Sequence, residues 1–216
     1  MIADARKISP KELVDSLNWR YACKAFDASK KLSDDVWAAL EQSLILSASS
    51  FGLQPWKFVV VTDQSIKDQL PAHSWGQRQP ADCSHLVVLC LLDEMDEAYV
   101  NNYVDRIAQT RSVSRESLTS YADMMLGFLK NPADKGVWME KQCYIALGTL
   151  LTACAVLGVD ACPMEGFDPK AYDRILGLED KGIKSVLVCP LGYRAEDKYA
   201  GLKKVRFDSS ELVVKI

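Results

Sequence analysis

Five polar stretches of this 216-residue chain carry residue types that do chemistry together: RYACK (20–24), SASSFGLQPW (47–56), SWGQRQ (74–79), PMEGF (163–167) and LKKVR (202–206). Arg20, Lys204 and Arg206 suit a phosphate, the arginines through paired, charge-assisted hydrogen bonds. Ser49 and Ser50 offer hydroxyls to the same group or its linker. Gln77 and Gln79 each present a donor and an acceptor, as the edge of a uracil-like ring requires. In the Glu165-Gly166 turn the glycine allows backbone N–H groups to approach a flat ring closely. The set reads as the parts of a site for an anion joined to a heterocycle. Each stretch also has a plainer reading. LKKVR describes a solvated basic face, SASSFG a loop, the glutamines polar surface and PMEGF a simple turn. Trp56, Trp75 and Trp138 read as core residues. Residue types and spacing alone therefore stop at a soluble α+β domain with room for a phosphate ligand.

The elements that must position these stretches are legible in part. Ser9-Pro10-Lys11-Glu12 is a helix start with a capping box and proline in the first turn, and the helix runs to about Leu17. RYACKAFDASKK follows without helical periodicity. Ser33-Asp34-Asp35 caps a second helix with Val36, Leu40, Leu44 and Ser47 on one stripe. KFVVVTD (57–63) predicts a buried strand and HLVVLCLLD (85–93) a second, with a short helix at QSIKDQL between them. Residues 94–140 predict helix in pieces, broken at NPADKG. Val137–Leu157 is the strongest helix, ended by Gly158 and apolar on most faces, hence expected to be buried and closely packed. VDACPMEGF predicts a short strand and turn, PKAYDRILGL a helix, KSVLVCPLGY a strand and the terminal ELVVKI a further strand. One α+β domain over residues 1–216, with four or five short strands in one sheet, accounts for this order.

Composition narrows the function classes. Hydrophobic residues make up 49% and charged residues 25%, and the net charge of −3 argues against a nucleic-acid binder. The apolar runs are too short and too interrupted to span a membrane, and the first twelve residues lack the apolar core of a signal peptide, so the expected compartment is the cytoplasm. The seven cysteines are odd in number and lack C-x-x-C spacing; four of them, Cys90, Cys143, Cys154 and Cys189, sit in apolar runs. Buried, reduced thiols explain them better than disulfides or zinc, and two histidines make no metal site. His85, opening a strand, reads as a structural histidine. The G-x-G-x-x-G, P-loop, H-E-x-x-H and G-x-S-x-G signatures do not occur.

In this order, RYACKAFD, SASSFGLQPWKF, ADCSHLVVLC, YADM, WMEKQCYIALGTLLTACAVLGVDACPMEGFD and GLKKVR resemble the nitroreductase family of FMN-dependent oxidoreductases. The likeness runs from about Asn18 to Arg206, and the helix leading into PMEGFD is especially similar to the branch of oxygen-insensitive NAD(P)H nitroreductases and dihydropteridine reductases. The resemblance implies an α+β fold with a central, mostly antiparallel sheet surrounded by helices. It also implies a homodimer with FMN at the interface and a C-terminal strand extending the other subunit's sheet.

Carried over position by position, Arg20, Lys204 and Arg206 would hold the FMN phosphate, with Tyr21 and Ala22 in the same loop. Lys24 would reach N1 and O2 of the ring, where it favours the negative charge of the reduced state. Pro163, Met164, Glu165 and Gly166 would line one ring face, a backbone N–H of Glu165 or Gly166 lying near N5. Ala48, Ser49, Ser50 and Gly52 would come from the other subunit, as would Tyr121, an aromatic that closes over substrate. Gln77 and Gln79 would border the ring edge. Gln79 stands where close relatives have lysine, and Gly52 where some have asparagine; Lys24 is then expected to supply the positive charge near O2 nearly alone. The implied activity is ping-pong hydride transfer from NADH or NADPH, through flavin N5, to nitroaromatics, quinones or related small aromatic electrophiles, with no catalytic side chain and no metal. Two alternatives stand beside it. A non-catalytic FMN-sequestering protein predicts a flavin that NAD(P)H does not reduce, and a thiol redox protein using Cys23 or Cys162 predicts loss of activity on alkylation.

Overall fold

The computed structural model describes residues 7–130 and 135–216. The signal-peptide reading of the N-terminus falls largely on residues 1–6, and the expected break at NPADKG falls on 131–134, so both lie outside the described residues. Four strands form one sheet in the order β1-β2-β4-β3: β1 (Trp56–Val61), β2 (His85–Leu92), β3 (Asp160–Ala161) and β4 (Ile183–Gly192). Every strand pair is antiparallel, and β2 against β4 is the longest ladder, with a register shift between Leu89 and Cys90.

The near-continuous apolar run of β2 has a direct cause. Its successive side chains point to opposite sheet faces, and both faces are covered. Leu86, Val88, Cys90 and Leu92 pack with Phe26, Cys162, Met164, Tyr172 and Val188 on one side. Val87 and Leu89 pack on the other side with Leu187, Cys189 and Leu191, under the helices α2 (Asp34–Ile45) and α7 (Lys135–Leu157). The strand β1, expected to be buried, is instead a sheet edge, with Lys57 and Val60 exposed.

The remaining helices are α1 (Pro10–Trp19), α3 (Gln64–Lys67), α4 (Gln79–Asp82), α5 (Glu97–Arg111), α6 (Thr119–Leu129), α8 (Pro169–Leu176) and α9 (Ser209–Leu212). The capping box of α1 is present, Ser9 N donating to Glu12 and Glu12 N to Ser9 Oγ, and the helix continues two residues past its expected end. Ser33 has N-cap geometry at α2 but makes no side-chain capping bond. The segment expected to be helical in pieces forms α5 and α6, which pack with Leu53, Met95 and Met139 in a third apolar cluster. Gly158 ends α7 at φ 68°.

Two expectations need correction. Only one side of α7 is buried, through Cys143, Ala146, Leu147, Leu150 and Cys154; Ile145, Val156 and Leu157 are exposed, and Gly148 faces open space. A helix that is apolar all round thus has half its circumference against the sheet and half uncovered. ELVVKI is no strand in the isolated chain: Glu211 and Leu212 end α9, and Val213–Ile216 are exposed and unpaired. A terminal apolar segment has no ladder to join until a strand edge is offered.

Leu150→Ala removes a fully buried side chain between α7 and the sheet. The expected loss of stability is about 2–5 kcal/mol in urea unfolding. A loss below about 1 kcal/mol, smaller than cavity formation costs, would show that α7 does not anchor the sheet.

Candidate functional site

Arg20 is the first residue beyond α1, where the backbone turns extended (φ −67°, ψ 141°) and its N–H still bonds back to Ser16 O. The ammonium of Lys204 caps the same helix end, donating to Leu17 O at 2.7 Å and to Arg20 O. Arg20, Lys204 and Arg206 thereby line one cavity of roughly 310 Å³ with Tyr21, Ala22 and Tyr199. Among the described residues none of the three cations has a carboxylate within ion-pair distance. Burial, and then the fields of Arg20 and Arg206, lower the pKa of Lys204 below the ordinary lysine value. Like charges gathered without a counterion are what an anion site looks like before its anion arrives.

The segment from Tyr21 to Asp27 is held from both sides. Ala22 forms a parallel bridge to Ala161 and Phe26 an antiparallel one to Arg194. Asp197 accepts from the Tyr21 hydroxyl at 2.7 Å and from Lys24 N at 2.8 Å, and Ala195 N donates to Ala25 O. The Lys24 ammonium lies 3.9 Å from Cys162 Sγ, which brings it beside the Pro163–Gly166 turn. Arg194 and Asp197 were not legible as site residues. They sit in an ordinary-looking acidic and basic stretch after β4, and their role is visible only through partners some 30 to 176 positions away.

Met164 is fixed to β4, exchanging backbone bonds with Val188 at 2.8 and 3.0 Å. Phe167 N bonds to Glu165 O, whereas the intervening N–H groups of Glu165 and Gly166 have no acceptor among the described residues. The Glu165 carboxylate accepts from the Tyr144 hydroxyl of α7 at 2.5 Å. Burial and that carboxylate push the Tyr144 pKa up to about 12. Gln77 Nε2 donates to Gly166 O at 3.1 Å, and Trp75 leans over the same glycine. A Cβ at Gly166 would stand 2.8 Å from the Trp75 ring, so any larger residue there would displace that exposed side chain. Trp75, expected in the core, is 78% exposed, on a loop where it and Gly76 both have positive φ. Gln79 is only 6% exposed, at the start of α4. The far end of that short helix is pinned by the fully buried Lys67, which donates to Cys83 O at 2.6 Å.

Other expected residues gather elsewhere. Ser49 Oγ accepts from Gln54 N, Ser50 N donates to Gln142, and the Tyr121 hydroxyl donates to Phe51 O at 2.7 Å. Gly52 has φ 71° and lies against the Tyr103 hydroxyl. Ala48 is exposed beside them. None of Ala48, Ser49, Ser50, Gly52 or Tyr121 lines the cationic cavity.

All seven cysteines are reduced and buried. Cys23, placed by its sequence between two cations, is governed instead by burial, which with nearby Asp160 and Asp197 raises its pKa to about 11. Burial raises Cys162 also, against the opposing pull of Lys24. The reading of the cysteines as buried, reduced thiols holds at both positions, and neither thiol is poised as a nucleophile. His85 is structural, its ring stacked on Trp37 at 4.5 Å and bonded to Ser84. No group of metal-binding side chains occurs among the described residues, and no described helix is long and apolar enough to cross a membrane.

The profile of the nitroreductase family matches residues 17–193. The chain belongs to the nitroreductase family. It is 35% identical over 208 residues to the oxygen-insensitive NAD(P)H nitroreductase of Enterobacter cloacae, covering 90% of this chain and 94% of that one. Among solved structures, a nitroreductase-like protein from Streptococcus mutans superposes with a TM-score of 0.85 at 21% identity, over 96% of this chain and all of that one. A nitroreductase-type protein from Exiguobacterium sibiricum, solved in complex with FMN, superposes with a TM-score of 0.80 at 19% identity, over 97% and 98% of the two chains. These likenesses establish the fold as that of the family.

The depressed Lys204 has a consequence for pH. An anion in the cavity favours charged Lys204 and restores its pKa. Affinity for a phosphate-bearing ligand should therefore be full below the depressed value and fall as pH rises through it, earlier than for an ordinary lysine. With FMN as fluorescent probe, Lys204→Arg should keep the neutral-pH affinity and lose the alkaline fall, since arginine stays charged. An unchanged alkaline fall in the variant would remove Lys204 from the anion site.

Proposed function

We propose that the chain binds FMN at the cationic cavity and, as a homodimer, transfers reducing equivalents from NADH or NADPH to small flat electrophiles such as nitroaromatics and quinones. It is an oxidoreductase of the nitroreductase type. The observation that carries the cofactor assignment is the convergence of Arg20, Lys204 and Arg206 on one cavity without a carboxylate, with Lys24 in the same segment turned toward the Pro163–Gly166 wall. When bound, FMN supplies the hydride chemistry itself, accepting a hydride at one ring atom and passing it to the acceptor.

The chain's residues bind and orient. Arg20, Lys204 and Arg206 hold the phosphate and set the cofactor's position along the cavity. Lys24 places a positive charge at the far end of the same segment, for the pyrimidine side of the ring. Gly166 keeps the wall open to a flat ring, and the unpaired N–H groups of Glu165 and Gly166 are donors for its central nitrogen. Tyr144 ties the Glu165 side chain to α7, which leaves the turn's main chain to face the ligand. No step calls on a side-chain nucleophile, in keeping with the raised cysteines.

Homodimerisation is supported by what the isolated chain leaves bare. The outer face of α7 exposes Ile145, Val156 and Leu157 around Gly148, and α1 exposes Leu13, Val14 and Leu17. A contiguous apolar face of this kind marks an interface. The turn at Ala48–Gly52 and Tyr121 reach the ring from the second subunit, since neither lines the cavity of their own. Val213–Ile216, exposed, extend the second subunit's sheet at the free edge of β1, beside a shallow apolar pocket at Trp37, Ile45, Phe58 and Val60.

The purified protein should absorb near ~450 nm, bleach anaerobically with NADH or NADPH, and recover colour with menadione or a nitroaromatic. A yellow protein that resists reduction would instead establish a sequestering role. A colourless protein that cannot be reconstituted with FMN would refute the cofactor assignment. Placing charge on the bare helix face, as Ile145→Asp with Val156→Asp, should yield monomer and release flavin in sedimentation velocity. Removing residues 213–216 should weaken the dimer more mildly. Dimers unaffected by both changes would place the interface elsewhere.

A further inference from the structure

Arg194 does not itself line the cavity, yet its surroundings converge on Arg20. Its backbone N–H donates to Asp160 Oδ2 at 2.9 Å and its Nε to both carboxylate oxygens at 2.9 and 3.0 Å. Nη2 lies 2.5 Å from Oδ1 but off the axis of a hydrogen bond, so that contact is ionic. Asp160 is 4% exposed and has no other side-chain partner among the described residues; the pair is dedicated. The guanidinium carbon stands 4.4 Å from the centre of the Trp19 ring and 4.7 Å from that of Tyr21. Those are the residues on either side of Arg20, one the last of α1 and the other the first of the extended segment. Both line the cavity. Arg194 therefore grips the backbone hinge from which Arg20 projects, through cation–π contacts on both flanks, and is itself locked by a buried carboxylate in β3.

We propose that Arg194 is the positioning residue that aims Arg20 at the phosphate, so that it sets the site's preference for phosphorylated over unphosphorylated flavin. The proposal rests on reading the cavity as the phosphate end of the FMN site. Its chemistry needs arginine in particular. A lysine ammonium can neutralise Asp160, but it cannot at once fill the carboxylate's two oxygens and lie flat against two rings. The reach of the effect is specific. Misaiming Arg20 loosens the phosphate, while the ring wall at Pro163–Gly166 is held separately by Val188, Gln77 and Tyr144.

FMN and riboflavin differ only in the phosphate, and the ratio of their dissociation constants is the readout. Flavin release would be followed by fluorescence on dilution of the purified holoenzyme, and again after exchange into riboflavin. Arg194→Lys should weaken FMN about tenfold or more, the scale at which loss of an outer partner disturbs a bound ion's site, and leave riboflavin within about twofold. Trp19→Leu, which leaves the Asp160 pair whole and guards against misfolding of the first variant, should shift the ratio in the same direction. Variants that keep the wild-type ratio, whether both flavins weaken together or neither does, would overturn the positioning role. A wild-type protein that fails to prefer FMN over riboflavin would overturn the phosphate reading beneath it, a result separable from the first because it needs no variant.

Discussion

The repulsion among Arg20, Lys204 and Arg206 is the constraint around which the site end of the molecule is built. Arg20, Lys203, Lys204 and Arg206 all line one small cavity, an unfavourable grouping in the free chain, and burial removes some of the water that would screen Lys204. Something must hold them there, and that work falls on the segments joining β3 and β4 to the N-terminal loop. Lys204 is tied to the end of α1, Tyr21 and the Lys24 backbone to Asp197, and the α1 hinge to the Arg194–Asp160 pair. The carboxylates of Asp197 and Asp160 are thus spent on geometry. Asp197 is occupied by a hydroxyl and backbone N–H groups, and Asp160 by Arg194. That arrangement keeps the cavity's charge uncompensated by the protein and available to an anion.

The helix α7 connects this end to the bare apolar face. Its inner side is locked to the sheet by Leu147, Leu150 and Cys154, which fixes its register. Its N-terminal half sends Gln142 to Ser50 and Tyr144 to Glu165. The same helix therefore touches the turn at 49–52 and the Pro163–Gly166 wall, two pieces that do not meet within the chain. Its outer side carries Ile145, Gly148 and Val156. A second copy pressed on that side would bear on both pieces through one rigid element.

How much of this was legible depends on how local the determinants are. The capping box, the Gly158 stop and the apolar run of β2 are local, and they appear where the sequence places them. The edge position of β1 is not local. VVV reads as buried, but strand order decides burial, and order is set by pairings across the chain. For α7 the pattern alone does not say which side meets the sheet, since an all-apolar helix reads the same on every face. At the site, Arg20, Lys204 and Arg206 were found because their residue type speaks. Arg194 and Asp197 were missed because their role lies in partners distant in sequence, whereas the buried, reduced state of Cys23 follows from its residue type, burial outweighing the nearby cations.

The cysteines bear on which chemistry the fold permits. A thiol becomes a nucleophile as thiolate, and a thiolate needs water, a donor or a cation. Cys162 has Lys24 at 3.9 Å and is still raised, because desolvation of a fully buried sulfur outweighs one partly solvated ammonium. Cys143 and Cys154 are pushed up to about 12 by burial in α7's inner face. The net effect is a site wall that stays neutral and unreactive beside a charge-bearing lysine. Among the described residues Lys24 has no carboxylate within ion-pair distance. Thiol–disulfide exchange would require that burial to be undone.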